Sequence, residues 1–303
     1  MGNTTPHKAY SSEKDGYDYA VTFEQEPFAK GASRYAFLGK LESNGPDNGK
    51  KIVTKVFIDG TRKGYDQWTS DLTASKKAEK YAEKFNIVAC NYNIGTAKIS
   101  FIIPILLKVS ETAAFNLFYI FPISRDEKYV ARNDWVAVEN YIEGEYVKFN
   151  NNYGDEKREL SQLPLAFCHW TWEISGYHFM ICDLQGVKSN DGYHLTDPVV
   201  HSAEQIYGNT DLGVHGMEEV MKGHRCNWYC KQLKLKPNPV PYYSYKGASS
   251  KVYRFTLTAE QQLMNRRKKS KYFKVQPKFP SFLFLSVCFL LVCLFVYLFL
   301  SSY

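Results

Sequence analysis

Four polar residues have the side-chain types that phosphoryl transfer requires: Lys55, Asp183, Gln185 and Asp197. A lysine can neutralise nucleotide phosphates, oxygen donors can hold magnesium, and a carboxylate can orient an attacking hydroxyl. Asp183 and Asp197 lie fourteen residues apart beside short apolar segments, and Lys55 lies far upstream. The combination predicts a phosphoryl-transfer site. The alternatives are that the aspartates belong to ordinary turns and that Lys55 extends from a strand edge into water.

A second group combines His224, Cys226 and Cys230 with the upstream His169. If a helix begins near Cys226, the two thiols lie on one helical face, with a histidine just before them. Thiolates and imidazoles are the usual ligands of tetrahedral zinc, and a site closed by four protein ligands is structural. The spacing favours a structural zinc site over its alternative, two buried cysteines beside a histidine that caps the helix.

The elements that must position these residues begin with a series of strands. Helical spacing over residues 63–86 places six residues on one stripe: Trp68, Leu72, Ser75, Ala78, Ala82 and Phe85. Apolar alternation predicts strands at 17–24, 34–41, 51–58, 99–109, 115–122 and 135–142. Together they predict a mainly antiparallel N-terminal lobe with one long helix, and they place Lys55 on a strand.

The second half of the chain carries the other candidate residues on shorter elements. Residues 178–182 form an apolar strand that leads directly into Asp183. Residues 217–223 and 226–235 are predicted helices, and the second of them would carry both cysteines of the zinc site. This half is therefore expected to supply the aspartates and the metal ligands.

Composition along the chain predicts its organisation. Hydrophobic residues make up 45% of the sequence, which is enough for a large core. The seven cysteines show no regular disulfide framework, which favours a reducing compartment. We expect four segments: a flexible leader at 1–15, a folded domain at 16–237, a linker with a basic cluster at 238–280 and a transmembrane helix at 281–301.

The last segment has the length and polarity of a membrane span. Residues 281–300 contain no charge and no proline, and about 20 helical residues cross a hydrocarbon core of ~30 Å. Seven of the 38 basic residues lie between 266 and 278, so the others equal the 31 acidic residues in number. Basic residues beside a span indicate its cytoplasmic side, so the domain is expected to face the cytoplasm. The position of this cluster favours anionic lipid headgroups over nucleic acid as its partner.

Residues 17–236 resemble the alpha-type protein kinases, the family that includes myosin heavy chain kinase, the elongation-factor kinase and the channel-fused kinases. Ordered motifs carry the resemblance: 138–152, 183–187, 195–198, and the His224, Cys226 and Cys230 group with His169. The resemblance implies an α+β, two-lobed protein-kinase-like fold with a structural zinc site.

The resemblance also implies roles for individual residues. Asp183 would be the catalytic base toward the acceptor hydroxyl, and Gln185 and Asp197 would hold Mg²⁺. The ATP contacts implied are Lys55 and Arg34 at the phosphates, Glu139 and its neighbour Tyr141 at adenine, and Lys148 and Asn151 near the phosphates. The segment 208–216 resembles the glycine-rich loop that serves peptide substrate or loop ordering in this family.

Two features of the motifs concern how their residues are positioned. Lys55 requires an acidic partner, and Glu79 or Glu83 on the long helix could supply it. The link between Asp183 and Asp197 is longer than in the shortest family members, and we expect a hairpin there.

These expectations lead to one main function and one alternative. The main function is a serine/threonine protein kinase that uses ATP, Mg²⁺ and a structural Zn²⁺ and is held at a membrane by its C-terminal segment. The alternative is a catalytically silent, zinc-stabilised scaffold with the same fold that recruits partners to a membrane. Since no catalytic position is replaced in this sequence, the residues favour the kinase.

Overall fold

The structure, a computed structural model, describes residues 2–14, 17–58, 64–117, 121–125, 128–157, 159 and 162–237. The predicted linker at 238–280 and the predicted transmembrane helix at 281–301 lie outside these residues. Within them, every helix is too short or too polar to cross a bilayer.

The described residues form sixteen strands and four helices. The strands are β1 (Gly2–Thr5), β2 (His7–Lys14), β3 (Tyr17–Phe23), β4 (Ala29–Lys30), β5 (Arg34–Ser43), β6 (Lys51–Phe57), β7 (Lys98–Phe101), β8 (Ile105–Glu111), β9 (Ala114–Leu117), β10 (Phe121–Arg125), β11 (Trp135–Asn140), β12 (Tyr146–Lys148), β13 (Phe179–Cys182), β14 (Gln185–Lys188), β15 (Gly192–Thr196) and β16 (Val199–Ser202). The helices are α1 (Tyr65–Asn91), α2 (Gln162–Ile174), α3 (Gly213–Gly223) and α4 (Trp228–Gln232).

An antiparallel sheet that closes on itself forms the N-terminal lobe. Its strand order is β3-β2-β8-β11-β6-β5-β4, and β3 also pairs with β5. Strand β6, which carries Lys55, is hydrogen-bonded on both sides, to β5 and to β11. Large side chains fill the core of this lobe, among them Phe23, Phe37, Ile52, Leu107 and Val136. The closed sheet therefore holds Lys55 on a central strand with little freedom to move.

Helix α1 contacts both lobes. It has 27 residues and is about 40 Å long at ~1.5 Å per residue. Near its start, Trp68 packs against the N-terminal sheet and donates a hydrogen bond to the Trp135 carbonyl at 2.9 Å. Near its end, Phe85 packs edge-on against Phe167 and Trp170 of α2. The apolar stripe predicted from the sequence is therefore buried at both ends, by different lobes.

The C-terminal lobe contains two small sheets and helices α2, α3 and α4. One sheet has the order β12-β14-β15-β7, and the other pairs β13 with β16. Strand β7 runs parallel to β15, whereas the other pairs are antiparallel. Helix α2 packs on β13 and on α4, and helix α3 packs on β16. The candidate residues 183–197 are thus carried by the β14–β15 hairpin and the turns that flank it.

The prediction of a flexible leader at 1–15 is wrong. Strand β1 pairs with β9, and β2 pairs with β3 and β8. Ala9 is buried, and the His7 Nδ1 accepts the Ala113 N–H at 2.8 Å. The segment looked unstructured because most of its residues are polar. Its stability comes instead from backbone pairing at the sheet and from the few side chains that turn inward.

Two predicted strands are each divided in the structure. The strand predicted at 99–109 is broken before Pro104, which lacks the N–H that a central strand needs; β7 joins the C-terminal sheet and β8 the N-terminal sheet. The strand predicted at 115–122 is the antiparallel pair β9 and β10. The first break matters most, because it takes the chain from one lobe to the other.

The helix predictions are confirmed in part. The long helix predicted at 63–86 corresponds to α1. The helix predicted at 226–235 is shorter, since α4 covers only Trp228–Gln232. Helix α2 was not predicted, because its buried residues surround most of the helix and leave no clear stripe.

Candidate active site and metal cluster

Lys55 lies in an ion-pair network with residues from both lobes. Its Nζ lies 2.7 Å from Glu139 Oε2, 2.8 Å from Asp197 Oδ2 and 2.8 Å from Thr196 Oγ1. Glu139 faces Lys55 because β6 and β11 pair with Lys55 opposite Ala137, and Glu139 is two residues further along the same face. The side chains of Lys55 and Glu139 are only 9% and 5% exposed, so water screens their attraction weakly.

Arg34, at the start of β5, contacts Asp197 from another direction. Its Nη1 lies 2.7 Å from Asp197 Oδ1, and its Nη2 lies 2.7 Å from Asp71 Oδ2 on helix α1. The guanidinium also lies over the rings of Phe57 and Trp68, at 5.5 and 5.4 Å from their centroids. Arg34 therefore links the N-terminal sheet and helix α1 to the carboxylate of Asp197.

Asp183 follows β13 directly and pairs with Lys148 of β12. The Lys148 Nζ lies 2.6 Å from Asp183 Oδ1, and the Gln185 Nε2 donates to Asp183 Oδ2 at 3.1 Å. Asp183 has φ of +55°, in the left-handed region that non-glycine residues rarely adopt. The turn presents its carboxylate to both Lys148 and Gln185.

The β14–β15 hairpin brings the two aspartates together. Gln185 lies opposite Thr196 in the register of this pair, so Asp183 precedes β14 at the same end of the hairpin where Asp197 follows β15. Asp197 also has a positive φ, of +51°. The predicted hairpin between the two motifs is confirmed, and the fourteen-residue spacing is the length of chain that it needs.

The two aspartates differ in their pKa. Burial raises the pKa of Asp183, and the charge of Lys148 offsets this only in part. Burial also opposes ionisation of Asp197, but Lys55 and Arg34 outweigh it and lower the pKa of Asp197. Asp197 is thus held as an anion, while Asp183 is the carboxyl better suited to accept a proton.

These side chains have the chemistry that a nucleotide–metal complex requires. Three cations, Lys55, Arg34 and Lys148, surround the carboxylates and match the charge of phosphate groups. Asp183, Asp197 and the side-chain carbonyl of Gln185 are hard oxygen donors of the kind that Mg²⁺ prefers. The residues present therefore fit both parts of such a complex.

His169, His224, Cys226 and Cys230 also converge, as predicted. Their ligand atoms all lie within 4.8 Å of one another. The Cys226 Sγ is 3.7 Å from His169 Nδ1, and the Cys230 Sγ is 3.6 Å from His224 Nε2. Tetrahedral zinc, with bonds of about 2.0–2.3 Å, separates its ligands by about 3.3–3.8 Å. The donor set and both separations fit a tetrahedral metal ion.

The two thiols reach this cluster in a way that differs from the prediction. Cys226 precedes α4, so it does not share a helical face with Cys230. Asn227 between them is the N-cap of α4, and its Oδ1 accepts the Cys230 N–H at 3.2 Å. Asparagine is more favourable at an N-cap than inside a helix. The turn at this N-cap places Cys226 beside Cys230.

Glu156 was missed in the sequence and supports this cluster. Its Oε1 lies 2.7 Å from His224 Nδ1, and the two side chains are only 2% and 3% exposed. A proton on Nδ1 donated to Glu156 leaves Nε2 as the ligand atom, the arrangement common behind metal-bound histidines. The loop that carries Glu156 packs closely on α3: a Cβ at Gly154 would lie 2.4 Å from the Glu219 carbonyl oxygen.

The predicted partner of Lys55 is wrong. Neither Glu79 nor Glu83 holds it; the acid is Glu139, and Glu79 instead accepts the backbone N–H of Phe101. The partner was expected on the helix, whereas Glu139 lies on β11, the strand next to that of Lys55. The Glu139 carboxylate is thus bound to Lys55, and the contact of Glu139 and its neighbours with adenine stays a prediction.

Two other predicted nucleotide contacts have partners of their own. The Tyr141 N–H donates to the Lys51 carbonyl at 3.0 Å, and the Lys51 Nζ lies 5.8 Å from the Tyr141 ring centre. Asn151 holds its own loop: its Nδ2 donates to Asp155 at 2.7 Å, and its Oδ1 accepts the N–H of Tyr153 and of Asp155, each at 2.9 Å. Tyr141 directly follows β11, and the side chain of Asn151 stabilises a turn; the nucleotide contacts of both residues stay predictions.

Asp71 is a second residue that the sequence analysis missed. It lies on α1, three residues after the buried Trp68, and it binds Arg34. An acidic residue next to the apolar stripe of a helix was the only available signal, and such residues are also common on solvated faces.

Residues 29–230 match the model of the Alpha-kinase family. This span contains both candidate aspartates, Lys55 and all four residues of the metal cluster. The chain belongs to the Alpha-kinase family.

Relatives of this family member include protein kinases of Dictyostelium discoideum. Alpha-protein kinase vwkA is 29% identical over 231 residues, which cover 75% of this chain and 33% of that protein. Alpha-protein kinase 1 is 32% identical over 224 residues, which cover 73% of this chain and 14% of that protein. The chain thus spans a third or less of the length of these relatives.

A solved structure confirms the two-lobed fold. The alpha-kinase domain of myosin heavy chain kinase A in complex with ADP superposes with a TM-score of 0.59 at 22% identity, covering 78% of this chain and 98% of that one. The same domain has also been solved with AMPPCP, with a TM-score of 0.59. The predicted α+β kinase-like fold is therefore confirmed, and the nucleotide complexes are those of the relative.

Proposed function

We propose that this Alpha-kinase family member transfers the γ-phosphate of ATP to serine or threonine hydroxyls of protein substrates. The observation that carries the proposal is that Lys55 of the N-terminal lobe contacts Asp197 at the same end of the β14–β15 hairpin where Asp183 and Gln185 contact each other. Relatives that are named protein kinases support the same chemistry.

Each residue of the network has a role in this proposal. Lys55 and Arg34 neutralise and orient the phosphates, and Lys148 supports the side chain of Asp183. Asp183 accepts the proton of the attacking hydroxyl, which its raised pKa favours. Gln185 and Asp197 would hold Mg²⁺, which would neutralise charge on the phosphates.

A phosphorylation assay on the full chain tests the activity. We expect radiolabelled ATP to label the protein itself or a general substrate, and Asp183→Ala to reduce labelling by at least about 100-fold, as expected for loss of an essential base. Asp191→Ala is a matched control, because this exposed aspartate lies on the same hairpin but contacts Ser189 and His194.

The same assay separates the kinase from the scaffold alternative. A wild-type protein that binds ATP but never transfers phosphate would support the scaffold. Equal labelling by wild type and Asp183→Ala would remove Asp183 from the catalytic role, although the protein would remain a kinase.

We also propose that His169, His224, Cys226 and Cys230 hold a structural zinc ion. The proposal is supported by the donor set, the separations of 3.6 and 3.7 Å, and the contact of Glu156 with His224. The purified protein should contain one zinc per chain by elemental analysis. Glu156→Gln should weaken zinc affinity about 10- to 100-fold, since it removes the charge behind a ligand. Full zinc content in the double variant Cys226→Ser, Cys230→Ser would contradict the site.

Finally, we propose that residues 281–301 tether the chain to a membrane with the kinase domain on the cytoplasmic side, next to anionic lipids bound by the cluster at 266–278. The support is the charge-free run of apolar residues and the adjacent basic residues. In cells, the full chain should remain in the membrane fraction after alkaline carbonate washing. A chain with Leu290, Leu291 and Val292 changed to arginine should be released. Retention of that variant would overturn the proposal.

A further inference from the structure

Asp183 has a backbone conformation that needs external support. Its φ of +55° is unfavourable for a residue with a Cβ. The contacts of its carboxylate with Lys148 and Gln185 hold the side chain, but neither of them holds the peptide bond that follows. Something else must therefore keep this turn in place.

Asn150 contacts that peptide bond directly. Its Oδ1 accepts the backbone N–H of Leu184 at 2.8 Å. From the same segment, the Phe149 N–H donates to the Leu184 carbonyl at 2.8 Å. Asn150 is only 2% exposed and Leu184 is fully buried, so water does not compete for these bonds. Phe149 and Asn150 thus hydrogen-bond the backbone carbonyl and the backbone N–H of Leu184, the residue after Asp183.

The same short segment also holds the side chain of Asp183. Lys148 lies opposite Gln185 in the β12–β14 pair, and its Nζ lies 2.6 Å from the Asp183 carboxylate. The two contacts act on different parts of one residue. Lys148 sets the charge at the carboxylate, and Asn150 sets the direction in which the backbone presents it.

We propose that Asn150 is a positioning residue for phosphoryl transfer, which acts by holding the Leu184 amide and thereby the left-handed turn at Asp183. It does not touch substrate in this role, in contrast to the phosphate contact that the family resemblance implies for its neighbour Asn151. The inference rests on the proposed kinase function, because positioning matters only if Asp183 acts on a substrate.

Asn150→Ala in the full chain tests the proposal. Loss of the acceptor leaves the Leu184 N–H buried without a partner, so the turn relaxes and Asp183 moves from its productive position. We expect kcat to fall about 10- to 100-fold, because small misplacements of a catalytic group have effects of this size. The KM for ATP should change by less than about threefold, since the residues at the phosphates are untouched.

Asn86→Ala is the matched control. The Asn86 side chain holds the backbone of Ile99 in a comparable way, accepting its N–H at 2.9 Å and donating to its carbonyl at 2.8 Å. It lies on α1 and holds Ile99 of β7, which pairs with Tyr193 near the turn of the hairpin, at the end opposite the aspartates. If general loss of stability were the cause, both variants would lose kcat to the same degree, and that result would overturn the proposal.

Hydrogen exchange provides a second readout that does not depend on activity. The peptide containing Leu184 should exchange faster in Asn150→Ala and stay protected in Asn86→Ala. Asn150→Asp keeps an acceptor oxygen and should restore protection; it also serves if the alanine variant does not fold. Unchanged protection in Asn150→Ala would refute the inference. An inactive wild type would instead count against the kinase function, and the exchange data would still decide the contact.

Discussion

The amino group of Lys55 contacts two carboxylates, which explains why it stays protonated although it is buried. Burial alone would lower the pKa of Lys55, but Asp197 and Glu139 outweigh this, so its pKa is raised. The two anions come from different lobes, on β11 and after β15. The position of one amino group therefore depends on how the lobes meet.

Glu139→Gln should be strongly destabilising. The substitution leaves Lys55 buried with one anionic partner fewer, and breaking a buried pair typically costs about 3–5 kcal/mol. The free energy of unfolding from denaturant titration measures this. Glu79→Gln is the control: its side chain can still accept the Phe101 N–H, so its cost should stay within about 1 kcal/mol. Equal losses for both variants would contradict the assigned pair.

Lys148→Met should change the pH dependence of the reaction. Lys148 lowers the pKa of Asp183 against the effect of burial, so its removal raises that pKa. Because the base must be ionised, the acid limb of kcat/KM should move to higher pH. The control is Lys188→Met, which removes a lysine at the end of β14 that lies over the Tyr193 ring and should leave the limb unchanged. A limb at the wild-type position in Lys148→Met would exclude Asp183 as the titrating base.

A hairpin and a loop with restricted backbone conformations carry several of the candidate functional residues. The β14–β15 hairpin joins two aspartates with positive φ, and the loop after β12 carries Glu156 to His224. Both connections depend on close backbone contacts. A Cβ at Gly186 would lie 2.0 Å from the His194 carbonyl oxygen, and one at Gly154 would lie 2.4 Å from that of Glu219.

Gly154→Ala should destabilise the protein more than Gly49→Ala. Both glycines have positive φ, of +97° and +82°, but the nearest atom to a Cβ at Gly49 is the Lys40 Cε at 3.7 Å. Gly49→Ala should therefore cost only the conformational strain of about 1–2 kcal/mol, whereas Gly154→Ala adds a backbone clash and displaces Glu156. Thermal melting measures the difference, and zinc content should fall only in Gly154→Ala. Equal melting temperatures would mean that the loop can move away from α3 at little cost.

For the molecule as a whole, helix α1 and the metal cluster hold distant parts of the chain together. Helix α1 packs on the sheet through Trp68 and on α2 through Phe85. The His/Cys cluster joins His169 on α2 to the segment 224–230. The C-terminal lobe has only small sheets, so the zinc ion that we propose at this cluster would stabilise the lobe by cross-linking α2 to the segment around α4.

Zinc removal should therefore unfold the C-terminal lobe. Structural metal binding is coupled to folding, so a strong chelator should lower the melting temperature by more than about 10 °C, and added zinc should restore it. Magnesium chelation alone, with a chelator that does not take zinc, is the control and should leave the melting temperature unchanged. A chelated protein that melts at the original temperature would show that the cluster is stable without metal.

Much of this organisation could be predicted from the residues. The long amphipathic stripe predicted α1, and the two aspartate motifs predicted a hairpin between them, because helical and strand periodicity are local properties. The leader at 1–15 could not be predicted as strands, since its stability comes from backbone pairing with β3 and β8. Pro104 itself indicates a break in the strand predicted at 99–109. The sequence did not indicate that the two parts of that strand belong to different lobes.

The residue types and their spacing were sufficient to predict a phosphoryl-transfer site and a His/Cys cluster, because few side chains can serve either purpose. The partners of those residues depended on the packing of the chain. Glu139 instead of Glu79 binds Lys55, Asp71 binds Arg34, Glu156 binds His224, and Asn150 holds the turn at Asp183. Each of these contacts joins residues at least 34 positions apart, and a one-dimensional pattern carries no distance between such residues until the sheets and loops bring them together.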